Sequence, residues 1–118
     1  MLAGRAPTAA EKAYLDAVSN LGCIICLLYL NKESPAEIHH TDGKTKEGCH
    51  FKILPLCPPH HRWPGNGEYV SRADGKKAFE AAYMPEEDLI TVVRKAVELQ
   101  GQQTIRAVRG KQWEYQSG

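Results

Sequence analysis

No cysteine or histidine lies outside residues 23–61: the four cysteines and five histidines of this 118-residue chain are all confined there. Chemistry that needs a thiol or an imidazole therefore falls to one short stretch. Long apolar runs are also missing. The longest, "CIICLLYL", is far too short to span a bilayer, so no membrane association is expected. The first residues, "MLAGRAPTAAEK", lack the apolar h-region of a signal peptide, which leads to the expectation of a cytoplasmic protein. In a reducing compartment, four cysteines favour metal binding or free thiols over disulfides. Internal repeats and low-complexity segments are absent. What is left is the composition of one soluble domain, 42% hydrophobic and 25% charged.

Net charge is only +1, which argues neither for nor against a polyanionic partner. Its distribution is less even. Between His39 and Arg62 the cations Lys44, Lys46, Lys52 and Arg62 outnumber Asp42 and Glu47. Between Leu89 and Gly118, Arg94, Lys95, Arg106, Arg109 and Lys111 outnumber Glu98 and Glu114. These groups form either a mild phosphate-facing surface or ordinary solvated charge.

"PTAAEKAYLDAVSNLG" reads as a helix. Thr8 is a natural N-cap, and Glu11 three residues later completes a capping box. Ala10, Tyr14, Ala17, Val18 and Leu21 share a face, and Gly22 suits the C-terminal cap. The chain breaks at Asn31–Pro35. Ile38 to Thr41 reads as a strand, "TDGKTKEG" as a turn, and "FKILPLC" as the second strand of a hairpin. Prolines after Cys57 suit a helix's first turn, and Pro64 with two following glycines stops it early. Asp74 is expected to cap a helix "GKKAFEAAYM". Another helix begins at Pro85 or Glu86, with an apolar stripe of Leu89, Val92, Val93, Ala96 and Val97, and ends by Gly101. The tail "QQTIRAVRGKQWEYQSG" has no clear assignment. The result is a small α+β domain over 1–118: a core over 21–83, an N-terminal helix over 8–21, and a C-terminal helix over 86–100 with its tail.

Cys23-x-x-Cys26 can direct two thiolates at one tetrahedral Zn²⁺. By itself it could equally be a redox pair or two buried thiols. A second half-site with the same spacing, Cys57-x-x-His60, follows a strand and favours a structural zinc held by Cys23, Cys26, Cys57 and His60. Thirty residues separate the halves, against about 15–20 in a compact ribbon. The insert contains His39, His40 and His50. Cys49 is either a core residue or a replacement ligand that would displace His60.

The histidine doublets then make sense. Adjacent residues on a helix point about 100° apart, so His60 can serve the zinc while His61 serves another site. On a strand they point to opposite faces, so His39 and His40 can also have separate tasks.

Paired histidines on strand one, a turn, strand two, then histidine at a short helix: this order resembles the HNH (ββα-metal) endonucleases. The resemblance implies a ββα-metal hairpin, stapled by zinc and framed by helices. It also implies a catalytic divalent ion, Mg²⁺ or Mn²⁺, held by His39 and His61, with His40 as general base. The pattern's central Asn has no counterpart. Its place falls near Lys52, and the nearest suitable side chain is His50, which braces the loop or binds metal and is the second catalytic candidate. "LGCIIC", "EIHHTDGKT", "LPLCPPHH" and "FEAAY" together resemble the phage and prophage recombination-enhancement nucleases that act with RecA, over roughly Leu21 to Tyr83. That resemblance implies DNA as substrate and a RecA filament on single-stranded DNA as partner.

In this reading His40 takes a proton from the attacking water. Lys44, Lys46, Lys52 and Arg62 contact phosphates, with weak sequence preference. Asp42 is either a further ligand or a solvated turn residue. Trp63 either stacks on a base or packs in the core. The rival reading is a zinc-stabilised nucleic-acid-binding module without catalysis; it leaves His39, His40 and His61 without a role. A thiol-redox protein using Cys23 and Cys26 leaves every histidine unexplained.

Overall fold

The computed structural model describes residues 6–43 and 48–99. Lys44 and Lys46, Gly101 and the C-terminal tail lie outside them. Helix α1 (Ala9–Leu21) starts where the capping box places it: Thr8 Oγ1 accepts from Glu11 N, and Glu11 Oε1 accepts from Thr8 N. It ends at Gly22, whose φ of +83° is costly for any side-chain-bearing residue. This break matters, because Ala9–Leu30 has the length and apolar composition of a membrane-crossing helix. Gly22 interrupts it, and every residue from Leu21 to Leu28 is buried in the core. A π-helical turn (Cys26–Leu30) follows and is closed by Asn31 in the left-handed region.

Strands β1 (Glu37–His40) and β2 (Ile53–Leu56) pair antiparallel, with Glu37 opposite Leu56 and His40 opposite Ile53. The second strand is shorter than "FKILPLC" suggested, because Cys49–Phe51 form a 3₁₀ turn. All four residues of β2 are buried, whereas those of β1 are half-buried. The hairpin is therefore more open along β1 than along β2. Helix α2 (Pro58–His61) follows at once, its prolines in the first turn where no backbone donor is needed.

Asp74 does not cap the next helix. It closes a 3₁₀ turn (Arg72–Asp74), accepting from Ser71 N at 2.9 Å and from Gly65 N at 3.1 Å. The cap of helix α3 (Lys76–Ala82) is Gly75. An Asp side chain satisfies nearby backbone donors in a turn as readily as at a helix start, and here the turn has the donors. Helix α4 (Glu86–Glu98) buries Leu89, Ile90, Val93 and Ala96, with Val92 and Val97 at the margin. It lies against β2 and α1, and α1 packs on both strands and on the 3₁₀ turn at 49–51. Val18, Ile24, Ile53, Leu54, Phe79, Leu89 and Val93 meet in one fully buried core, each contributing about 1.5–3 kcal/mol by leaving water. The fold is thus a small mixed α and β domain: one antiparallel hairpin and a short helix, enclosed by α1, α3 and α4.

Candidate metal centre and histidine cluster

Four expected ligands converge. Cys23 and Cys26 come from the turn after α1; Cys57 and His60 come from the start of α2. Their ligand atoms lie within 4.8 Å of one another and all four residues are buried. Cys26 Sγ is 3.8 Å from Cys57 Sγ. His60 Nδ1 is 3.2 Å from Cys57 Sγ and 3.7 Å from both Cys23 and Cys26. A tetrahedral Zn²⁺ with Zn–S of about 2.3 Å and Zn–N of about 2.0 Å has sulfur–sulfur edges of about 3.8 Å and sulfur–nitrogen edges of about 3.5 Å. The cluster has the size and donor set to hold a metal such as zinc. All four cysteines are free thiols, and Cys49 is buried in its own turn, outside the cluster.

The electrostatics agree with a cation site. Hydrogen bonding with Cys23 pulls the Cys26 thiol down to about 3, while the same contact and burial push Cys23 up. Burial also pushes up Cys57. Tyr69 and Tyr83 flank the His60 ring edge-on, with centroids 5.6 and 6.0 Å away. Tyr83 is fixed in turn by its hydroxyl, which donates to Val70 O at 2.6 Å.

The doublets divide. On α2, His60 points to the sulfurs, while His61 Nδ1 donates to Glu37 Oε1 at 2.8 Å. On β1, His39 meets His61 edge to face at 5.2 Å, and His40 turns to the opposite side, where its Nε2 lies 3.0 Å from His50 Nδ1. Strand alternation also puts Glu37 on the face of His39, two residues away. Glu37 accepts from Arg62 Nε at 2.9 Å and lies 2.7 Å from Arg62 Nη2. Arg62 first, then His61, holds the Glu37 carboxyl below the usual carboxylate range. A carboxylate on Nδ1 fixes the His61 tautomer and leaves Nε2 with the lone pair a metal needs.

Three residues here escaped the sequence reading. Glu37 was signalled only by its two-residue spacing from His39. Glu86, the first residue of α4, has only 2% of its surface exposed. Its Oε2 lies 3.4 Å from His39 Nε2 and accepts from Arg72 Nε at 2.8 Å. Burial works against its charge, but the facing His39 ring and Arg72 guanidinium outweigh that and lower its pKa. The signal was an acid in step with an apolar stripe, since Glu86 precedes Leu89, Ile90 and Val93 at helical spacing. Arg72 gave no signal at all.

The two described cations expected on phosphates are both engaged. Arg62 is on Glu37, and Lys52 Nζ lies 3.3 Å from Asp42 Oδ2. Asp42 is thus a partner of Lys52 in the turn, and Trp63 is exposed rather than packed in the core.

A family model described as recombination enhancement, RecA-dependent nuclease matches residues 7–98. That span runs from the cap of α1 to the last residue of α4 and contains the sulfur cluster and every histidine. The chain belongs to the recombination enhancement, RecA-dependent nuclease family.

Proposed function

We propose that this protein is a metal-dependent DNA endonuclease of the ββα-metal (HNH) type, working with RecA filaments on single-stranded DNA. The observation that carries the reading is the separation of the doublets. His60 is drawn into the sulfur cluster, while His61 faces His39 across the hairpin. One division of labour accounts for both. Cys23, Cys26, Cys57 and His60 hold a structural zinc that pins α2 to the end of α1. His39 and His61 hold a catalytic Mg²⁺ or Mn²⁺ beside the hairpin.

The divalent ion, when bound, would offset the charge that builds on the scissile phosphate and on its leaving oxygen. The chain's own residues do the rest. Glu37 holds His61 in the ligating tautomer. His40 takes a proton from the attacking water, and His50, whose Nδ1 lies 3.0 Å from His40 Nε2, orients its ring. Lys52 and Arg62, together with Lys44 and Lys46, contact the phosphates. Lys52 and Arg62 exchange their carboxylate partners for phosphate oxygens, which makes binding strongly salt-dependent.

The test is nicking of supercoiled plasmid with Mg²⁺ or Mn²⁺, with and without RecA filaments, by wild type and His40→Ala. Cleavage that His40→Ala abolishes is the expected result. If wild type leaves DNA intact under every condition yet still binds it, the protein is a zinc-stabilised binding module instead.

A further inference from the structure

His50 reaches His40 from a single 3₁₀ turn, Cys49–Phe51. Such turns are short and their hydrogen bonds are poorly aligned, so their position depends on what grips them from outside. Within the hairpin, Lys52 O accepts from Thr41 N and from Thr41 Oγ1, both at 3.0 Å. Those bonds hold the residue that leaves the turn, not the turn itself. Cys49 and His50 are buried, but Phe51 is 36% exposed. Its carbonyl lies beyond the last ladder pair, His40 with Ile53.

Two distant elements grip Phe51. From α4, Arg94 Nη2 donates to Phe51 O at 3.1 Å, across 43 residues of sequence. From α1, the Tyr14 ring packs on the Phe51 ring, with centroids 5.5 Å apart and planes tilted by 54°. The Arg94 guanidinium also lies close enough to Tyr14 to offset part of the rise in its pKa. Arg94 therefore meets both the turn and the ring packed on it. Only the φ and ψ of Phe51 separate the peptide plane that Arg94 holds from the one that leaves His50.

We infer that Arg94 is a positioning residue for the general base: it clamps the 49–51 turn from α4 and so holds His50 against His40. This rests on the nuclease reading, in which His40 takes the proton and His50 orients its ring. The 3.0 Å contact between the two imidazoles tolerates little displacement, since hydrogen bonds weaken steeply as their angle degrades. Arginine suits the task, because its planar fork of donors is pre-organised for an acceptor. A lysine, with a flexible stem and a compact charge, holds the same carbonyl less firmly. α4 thereby acts on the base through one exposed side chain, besides walling the core.

The experiment compares full-length wild type with Arg94→Met and Arg94→Lys. Lys95→Met is the control, since it loses the same charge from the neighbouring exposed position. All three variants should fold, because surface substitutions of this kind cost little stability. Two quantities are read: the pH–rate profile of nicking, and the exchange rate of the imidazole N–H proton between His40 and His50, by nuclear magnetic resonance. Arg94→Met should lower kcat about 10-fold at unchanged KM, move the acid limb in the same direction as His50→Ala, and speed the exchange. Arg94→Lys should recover part of each loss, and Lys95→Met should match wild type in both. Where wild type nicks DNA, an unchanged acid limb or an unchanged exchange rate in Arg94→Met overturns the inference, even if the salt dependence of DNA binding falls. Where wild type does not nick, faster exchange in Arg94→Met upholds the clamp on the histidine pair and only the nuclease reading fails, whereas unchanged exchange overturns both.

Discussion

His40 Nε2 lies 3.0 Å from His50 Nδ1, joining the first strand to the 3₁₀ turn that precedes the second. Either ring can be the donor, so replacing one changes the hydrogen bonding of the other. His40→Ala should reduce nicking by about 10²-fold or more. His50→Ala should lower the rate less and move the acid limb of the pH–rate profile, because it changes the proton affinity of His40 without removing it. An unchanged profile in His50→Ala would make His50 a packing residue only.

The sulfur cluster carries a stability prediction. Structural zinc contributes about 10–16 kcal/mol of apparent binding free energy in small domains. Cys23→Ser and Cys57→Ser should therefore lose zinc and cooperative unfolding together. Cys49→Ala, outside the cluster, should keep one zinc per chain. Zinc released to a chromophoric chelator, alongside thermal melts by circular dichroism, checks all three.

Glu37 tests whether a carboxylate on His61 tunes the metal. Glu37→Gln keeps the shape but loses the charged acceptor of His61 Nδ1 and the ion pair with Arg62. The concentration of Mn²⁺ needed for half-maximal nicking should rise about 10–100-fold. The melting temperature should barely move, since exposed ion pairs contribute little to stability.

Gly65 has no room for a side chain. A Cβ there would collide with Tyr69 O, a backbone atom that cannot step aside. Gly65→Ala should destabilise the protein by about 1–3 kcal/mol, read from the urea midpoint at constant slope. An unchanged midpoint would show that the 65–69 turn opens freely.

Tyr14 gives a pH dependence. Burial raises its pKa, and Arg94 only partly offsets this. An acid with a raised folded pKa stays protonated in the folded state while the unfolded chain ionises above pH of about 10. The unfolded state then binds fewer protons, so stability falls as pH rises through that range. Tyr14→Phe keeps the tilted packing on Phe51. It should show a shallower alkaline loss, measured by urea unfolding at pH 9 and above.

The local features were legible in the sequence because their causes are local. Thr8 with Glu11 sets the start of α1 through contacts three residues apart. The two x-x spacings put each pair of ligands on one turn, and the alternation of strand and helix divides His39 from His40 and His60 from His61. The single mistaken cap, Asp74, shows the limit. Its side chain suited either of two neighbouring jobs, and only the position of Gly65 N decided between them.

What tertiary structure decided is which distant groups meet. Helical spacing puts Glu86, but not Glu87 or Asp88, in step with the apolar stripe of α4, yet what that buried acid would meet is not written in its neighbours. Burial then forces it against Arg72 and His39, since an isolated buried charge is too costly to keep. In the same way Arg62, a free phosphate contact on sequence grounds, is claimed by Glu37 from the facing strand. Residue types and spacing thus determined the candidate ligands and the faces they occupy. The partners that charge and orient those ligands followed only from long-range packing, because desolvation depends on the whole fold and not on neighbours in sequence.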